Sequence, residues 1–415
     1  MAENVLLPHH ISKRKNSAIL IFCIFSVQLS TSVIIYYLHL VTNLHLLWIT
    51  VYYVFTFFCA IPQSGFSDVF GRKKHLLISC YFVCLSAGYL LLLHLTNGHR
   101  NLYSILVLPV CLFLGVAGNS IPIARAGIAD LKIHDFRTAM GWSTIFIGFG
   151  WGTAVILGFI LSPLNVIISA LLIQLTTIFL ISKYFQDAED YSIHKHRKKQ
   201  YFRVIFKSYK WFGSMFMVTG GAAAIFAYLF AETSFYQIYS LDEEGTIALS
   251  TQVIGLLMAV GYAFGVIIQW IIYFSDKKGI KYGIGISSIT LIIFLAFKVL
   301  VDYPSHIFLK ENADLIEGIL DFLFSFGFGF TIPSLFSLMS KKLETHHFGK
   351  LFGAIDSTDT CALSLSFFVL YLKTSLNIEK LSIYLVSLLF FLVSVIFYLI
   401  FIKRFSSYEI ERRHE

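Results

Sequence analysis

Three acidic side chains and one arginine lie inside long apolar stretches of the sequence, where an ionisable group is costly and therefore a first suspect for function. Glu317 and Asp321 are four residues apart, so they share one face of a helix. Glu232 and Arg125 are isolated in separate apolar stretches. A carboxyl group in such a place can carry a proton, and a guanidinium can bind an anionic group of a solute. These four residues are the candidates for proton or substrate coupling.

Plainer interpretations exist for three of them. Glu317 fits a charge at the level of the lipid headgroups, and Glu232 fits a solvated position at the outer end of its helix. Arg125 can extend to the membrane interface, or it can join a charge network with Asp130. The sequence leaves these alternatives open.

A second acidic pair, Asp356 and Asp359, lies three residues apart near the start of another apolar stretch. It suits a gating contact with the basic segment around Arg72, or simple stabilisation of a helix N-terminus. Uncharged polar residues inside apolar stretches suit the lining of a cavity or hydrogen bonds between helices. The candidate lining residues are Gln28, Thr31, Tyr36, Asn119, Tyr228 and Gln252.

The sequence does not contain the residue patterns that metal binding, ATP binding or catalysis would require. The paired histidines, such as His346 and His347, lie in hydrophilic segments with no carboxylate or cysteine arranged as a metal ligand. No G-x-x-x-x-G-K-[ST] segment is present to bind ATP, and an enzyme in the membrane would need more than carboxylates and one arginine. We therefore expect a protein that is not an enzyme and has no metal or cofactor, with the proton gradient as its energy source.

The elements that position these residues must cross a membrane. Of the 415 residues, 57% are hydrophobic and 13% charged, whereas about a quarter are charged in an average soluble domain. The 42 Phe and 22 Tyr exclude a disordered chain. The net charge of +8 comes from short basic clusters between apolar stretches, which orient helices in a bilayer and do not indicate nucleic acid.

A transmembrane helix needs about 20 predominantly apolar residues. Twelve stretches meet this length: 17–40, 44–64, 75–95, 102–127, 138–161, 164–182, 211–236, 246–274, 282–301, 314–339, 349–372 and 380–402. With both termini in the cytoplasm, 26 of the 32 Lys and Arg fall on the inner side, 5 fall on the outer side, and Arg125 lies within a span. This asymmetry supports the span count and the orientation.

The spans divide into two halves of six. Gly118-Asn-Ser-Ile-Pro122 resembles Gly329-Phe-Thr-Ile-Pro333 at an offset of 211, and Gly141 matches Gly353 at an offset of 212. Internal repeats of this kind are common in secondary transporters. We predict a cytoplasmic tail, a six-helix bundle, a basic cytoplasmic linker, a second six-helix bundle and a second cytoplasmic tail, at residues 1–16, 17–182, 183–210, 211–402 and 403–415.

One loop carries a specific motif. Residues 65–74 read GFSDVFGRKK, between the second and third spans, and they resemble the G-x-x-x-D-x-x-G-R-[RK] signature of the major facilitator superfamily at every fixed position. The matching residues are Gly65, Asp68, Gly71, Arg72 and Lys73. Asp68 can accept hydrogen bonds from the N-terminus of a neighbouring helix, whose dipole favours an anion.

The resemblance implies an all-α fold of twelve transmembrane helices in two pseudo-symmetric bundles. It further implies that Arg72 bridges Asp68 and Asp130 and so stabilises the outward-facing state. Helices 1, 4, 7 and 10 line the central cavity in this family, which makes Asp321 the first coupling candidate. We expect a functional monomer in a bacterial inner membrane, with a small-molecule substrate and the lipid bilayer as its partners.

Two departures from the family bear on direction and coupling. Cys111 occupies the position four residues before Gly115 where the family often has Arg, so the proton-relay role of that Arg is not transferred to Arg125. The fifth span is rich in glycine but has no proline before Pro163, which favours uptake over exchange. We predict proton-coupled uptake of a small polar solute by alternating access. The alternatives are a proton-coupled efflux antiporter and, less favoured, a membrane-embedded receptor or enzyme.

Overall fold

The computed structural model is α-helical throughout the part of the chain that it describes. That part covers residues 6–41, 44–96, 106–131, 136–187, 249–272, 275–301, 313–340 and 348–376, with isolated positions between 389 and 399. Eleven helices are assigned in it: α1 Leu6–Val41, α2 His45–Phe70, α3 Arg72–Leu95, α4 Leu108–Ala117, α5 Ser120–Asp130, α6 Phe136–Ile160, α7 Pro163–Tyr184, α8 Leu249–Ile272, α9 Asp276–Val301, α10 Ala313–Ser340 and α11 Phe348–Leu376.

Within these described residues, six helical segments are long and apolar enough to cross a membrane, and they match the first six predicted spans. Helices α8 to α11 occupy the predicted eighth to eleventh spans. The predicted seventh span, 211–236, lies outside the described residues, as does nearly all of the twelfth. The all-helical, multi-pass prediction is confirmed.

Large apolar side chains are exposed on the outer faces of the spans. Leu172, Leu175 and Phe179 are more than half exposed along one face of α7. The opposite face of α7 buries small, polar and apolar side chains, among them Ala170, Gln174 and Thr177. An apolar outer face around a partly polar interior suits a helix surrounded by lipid.

Two compact units are distinguished by their internal packing. The first contains Met1–Ser214 and Ser340–Ser364, and the second contains Met215–Met339 and Leu365–Glu415. The first part of α11 therefore packs within the first unit. The predicted domain boundaries stay a prediction.

Glycines bring α1 and α6 together in the first unit. A Cβ at Gly150 would lie 2.8 Å from the carbonyl oxygen of Phe25, and one at Gly158 would lie 2.9 Å from the Tyr36 ring. Close backbone approach of this kind is typical of helices packed in membranes.

The fourth span is interrupted at Gly118 and Asn119, between α4 and α5. Pro122 has no N–H, so it cannot donate to the carbonyl of Gly118 one turn earlier. The Asn119 Nδ2 donates to the carbonyl oxygens of Gly115 (3.1 Å) and Val116 (3.2 Å). The proline therefore accounts for the interruption, and the asparagine satisfies backbone groups next to it.

Candidate functional site

Arg72 is the centre of a buried ion-pair network, the inner-loop network, formed by Asp68, Arg72 and Asp130. Its Nη2 lies 2.6 Å from Asp68 Oδ1, and its Nε donates to Asp130 Oδ2 at 2.8 Å. Nη1 also donates to Ser67 Oγ at 2.6 Å. The side chains of all three charged residues are at most 5% exposed. A buried guanidinium with two carboxylates is stable only because its charge and its donors are satisfied together.

Local sequence explains how Arg72 is placed. Gly71 has φ 98°, a conformation that glycine adopts without steric cost, and it separates the end of α2 from the start of α3. Asp68 and Arg72 are four residues apart across this break. The turn at Gly71 thus brings the motif residues together, and Gly65 is buried one turn before Asp68.

The Asp68 carboxylate also holds the first turn of α11. The backbone N–H of Gly349 donates to Oδ1 at 2.9 Å, and that of Lys350 donates to Oδ2 at 3.0 Å. The first N–H groups of a helix have no partner within it, and the helix dipole favours an anion there. Asp68 therefore joins the start of α11 to Arg72 within the first unit.

Small residues allow α11 to approach α2 closely. A Cβ at Gly349 would lie 2.5 Å from Arg72 Nη1, and one at Gly353 would lie 2.7 Å from Ser64 Cβ. One turn further along, Ser357 Oγ donates to the carbonyl oxygen of Phe57 at 3.1 Å. The helix is thus fixed along three turns of α2.

Asp187 is a neighbour of the inner-loop network that the sequence did not indicate. Its Oδ1 accepts the backbone N–H of Lys73 at 3.0 Å, in the first turn of α3. Burial raises the pKa of the Asp187 carboxyl, although that hydrogen bond and the nearby Arg72 charge oppose the shift. A lone acid in a hydrophilic segment gives no sequence signal, and neither does Ser67.

Arg125 lies buried in α5, with 8% of its surface exposed. Its Nε donates to Ser143 Oγ and its Nη2 to Thr144 Oγ1 of α6, both at 3.2 Å. Its charge interacts with the carboxylates of Asp356 and Asp359. The contact of α11 with the Arg72 loop is made by backbone N–H groups, while these two carboxylates lie near Arg125.

The candidate lining residues have different surroundings. Gln28 donates from Nε2 to Ser32 Oγ at 3.2 Å along α1, and Tyr36 packs on Gly158. Thr31 is buried, and its hydroxyl oxygen has no hydrogen-bond partner among the described residues. Asn119, at the break between α4 and α5, donates to Gln63 Oε1 of α2 at 3.0 Å. Asn119 and Tyr36 thus contact neighbouring helices.

Asp321 lies in α10 of the second unit with 3% of its surface exposed. Glu317 belongs to the same helix, and Gln252 lies in α8. Glu232 and Tyr228 lie outside the described residues. In the described part of the chain, no group of three or more His, Cys, Asp or Glu side chains could hold a metal ion.

Comparisons with known proteins agree with this architecture. A family model described as Major Facilitator Superfamily matches residues 20–364. No curated protein matches the chain significantly.

Solved structures resemble the chain over nearly its whole length. The E. coli fucose:proton symporter FucP is 17% identical, with a TM-score of 0.63 over 92% of this chain and 97% of its own. The proton:xylose symporter XylE is 14% identical, with a TM-score of 0.67 over 94% and 95%. A human organic anion transporter is 14% identical, with a TM-score of 0.64 over 94% and 99%. At these identities the likeness concerns the fold.

Proposed function

The chain belongs to the major facilitator superfamily, and we propose that it takes up a small polar solute together with protons. Membership makes the protein a multi-pass membrane transporter that works by alternating access, and not an enzyme. The solute, the coupling ion and the direction are the proposed part.

The observation that carries the proposal is the burial of ionisable side chains in the spans. Arg125 is 8% exposed in α5, and Asp321 is 3% exposed in α10. Such groups cost free energy in a membrane, so they are retained where they bind or move a charge. Asp321 is the proposed proton carrier of the second unit, with Glu232 and Glu317 as further candidates.

The inner-loop network is proposed to favour one of the two transport states. Asp68 holds the first turn of α11 through two N–H groups, and Arg72 fixes Asp68. Breaking these contacts shifts the population between two arrangements of the transporter. In the proposed cycle the network stabilises the outward-facing state and opens as the transporter turns inward.

Uptake of a polar solute is favoured by two features. The glycine-rich α6 has no proline before Pro163, and two structurally similar proteins are proton symporters for sugars. We propose a bacterial inner membrane as the location, cytoplasmic termini and a functional monomer.

An efflux antiporter is the second candidate. An aromatic row follows Asp321 along α10: the rings of Phe322 and Phe326 lie 6.4 Å apart, and those of Phe326 and Phe330 lie 5.1 Å apart. Aromatic rings in the helix that carries Asp321 suit lipophilic cations.

Thermal unfolding of the purified transporter with a panel of solutes tests these candidates. A ligand at about 100 times its Kd adds about 2.7 kcal/mol to the free energy of unfolding. The proposal expects stabilisation by one class of sugar, amino acid or organic acid. Stabilisation by bulky cations alone would contradict it and support efflux. Asp321→Asn serves as the matched variant, because it removes a charge within a span while keeping the shape of the side chain.

A further inference from the structure

A charge cluster in the first unit consists of Arg125 of α5 with Asp356 and Asp359 of α11. It is separate from Asp321, which lies in the second unit. It is also separate from the inner-loop network, because Asp356 lies seven residues, or about two helical turns, beyond Gly349.

Neighbouring helices fix both sides of the cluster. Ser143 and Thr144 of α6 accept hydrogen bonds from the Arg125 guanidinium at 3.2 Å. On the other side, Gly353 packs against Ser64, and the Ser357 hydroxyl donates to the carbonyl of Phe57. These contacts anchor α11 on α2 on either side of Asp356, so the carboxylates are held in place.

The groups around the acidic pair do not neutralise it. Tyr52 and Tyr53 of α2 interact electrostatically with both carboxylates, and Cys111 of α4 lies beside Tyr52. These three groups are neutral in their ordinary protonated forms. Arg125 is thus the one cation among the described groups that interact with the pair.

Counting charge over these described groups then leaves one negative charge in excess. Two ionised carboxylates and one guanidinium sum to minus one inside a helical bundle, where an uncompensated charge is strongly unfavourable. Oδ2 of Asp356 is also unsatisfied, since it is buried and has no hydrogen-bond partner among the described residues. Binding a single proton cancels the excess negative charge and removes the charge from the carboxyl group that binds it.

We propose that Asp356 and Asp359 together bind one proton, and that Arg125 balances the carboxylate that stays ionised. The proton comes from the aqueous phase and forms an O–H bond on one carboxyl oxygen of the pair, and no other bond changes. The binding of this proton follows from the cluster itself. Its use in transport, as a coupling site in addition to Asp321, rests on the proposed function.

Infrared spectroscopy of the full-length protein in lipid nanodiscs tests the protonation directly. A protonated carboxyl group gives a C=O stretching band that shifts in D₂O. An ionised carboxylate does not give this band. At neutral pH we expect Asp356→Asn and Asp359→Asn each to lose the band of one carboxyl group, because the remaining carboxylate then pairs with Arg125. Arg125→Gln should gain the band of one carboxyl group, because both carboxyls are then neutral.

The carboxyl band decreases in the two Asn variants and increases in Arg125→Gln. These opposite changes distinguish a proton site from an ordinary ion pair. Asp321→Asn is the matched control: any band that it removes belongs to the second unit and must be unaffected by the two α11 variants. The conservative Asn variants keep the proposal testable even if Arg125→Gln does not fold. Spectra of Asp356→Asn and Asp359→Asn with the full wild-type carboxyl band would overturn the proposal.

Transport then separates this inference from the proposed function. If the band pattern appears and uptake in proteoliposomes depends on the proton gradient, both stand. If the band pattern appears and uptake does not depend on the proton gradient, the proton site stands and proton coupling is refuted. An absent pattern with gradient-driven uptake refutes the site and leaves the proposed function intact.

Discussion

Replacing Asp68 with asparagine should release the first turn of α11. The carboxylate accepts the N–H groups of Gly349 and Lys350 and pairs with Arg72 at 2.6 Å. Asparagine keeps the shape but offers one oxygen, and its NH₂ group must face another donor. The variant therefore loses the charge and at least one of the two bonds to α11.

The free energy needed to open the first turn of α11 should fall by about 3 kcal/mol. A hydrogen bond to a charged group contributes about 1.5–3 kcal/mol, and here one is removed and another weakened. Since 1.4 kcal/mol is a factor of ten, opening of the first turn of α11 should become about 100-fold more frequent. Transport should be impaired by the same shift, while membrane insertion stays normal.

Hydrogen–deuterium exchange measures this opening at the two amides concerned. In Asp68→Asn, the peptide that contains Gly349 and Lys350 should exchange about 100-fold faster than in the wild type. Asp130→Asn is the matched control: it removes the other partner of Arg72 but leaves both bonds to Asp68, so exchange there should stay near the wild-type rate. Unchanged exchange in Asp68→Asn, or normal turnover, would show that Asp68 does not hold the first turn of α11.

Three further predictions concern separate parts of the molecule. Gly349→Ala should destabilise the protein by about 1–3 kcal/mol in thermal unfolding, because its Cβ would lie 2.5 Å from Arg72 Nη1. Gly88→Ala, with nothing within 4 Å of its Cβ, should be neutral or stabilising by up to about 1 kcal/mol, and equal losses in both would contradict the packing argument. Asp321→Asn should abolish accumulation against a gradient while exchange of solute across the membrane continues, and wild-type accumulation would remove Asp321 from coupling. The raised pKa of Asp187 means that the folded protein binds this proton more tightly than the unfolded chain, so its contribution to stability falls as pH rises from about 4 through the raised pKa. The melting temperature of the wild type relative to Asp187→Asn should therefore fall over that range, and a constant or rising difference would be inconsistent with the burial of this carboxyl.

Local patterns were sufficient for the spans that the structure describes and for part of the inner-loop network. Apolar length indicated where the helices lie, and Asp68 and Arg72 are close because they are four residues apart around a glycine turn. The contact between Asp68 and Gly349 joins residues 281 positions apart. A single sequence shows that Asp68 suits a helix N-terminus without showing which helix supplies it.

The cluster around Arg125 shows the same limit. The sequence placed an arginine in one span and two aspartates in another, and each had several interpretations. Only the packing of α5, α6 and α11 brings the three charges together and satisfies Arg125 with Ser143 and Thr144. Serine and threonine occur throughout the spans, so nothing in their spacing singled out these two.

Uptake into proteoliposomes measures proton-coupled transport of a small polar solute. The purified transporter is reconstituted with a solute that stabilises it in thermal unfolding, and an inwardly directed proton gradient is imposed. We expect accumulation above the external concentration, which a protonophore abolishes. Equilibration without accumulation, or extrusion of the solute under the same gradient, would contradict it.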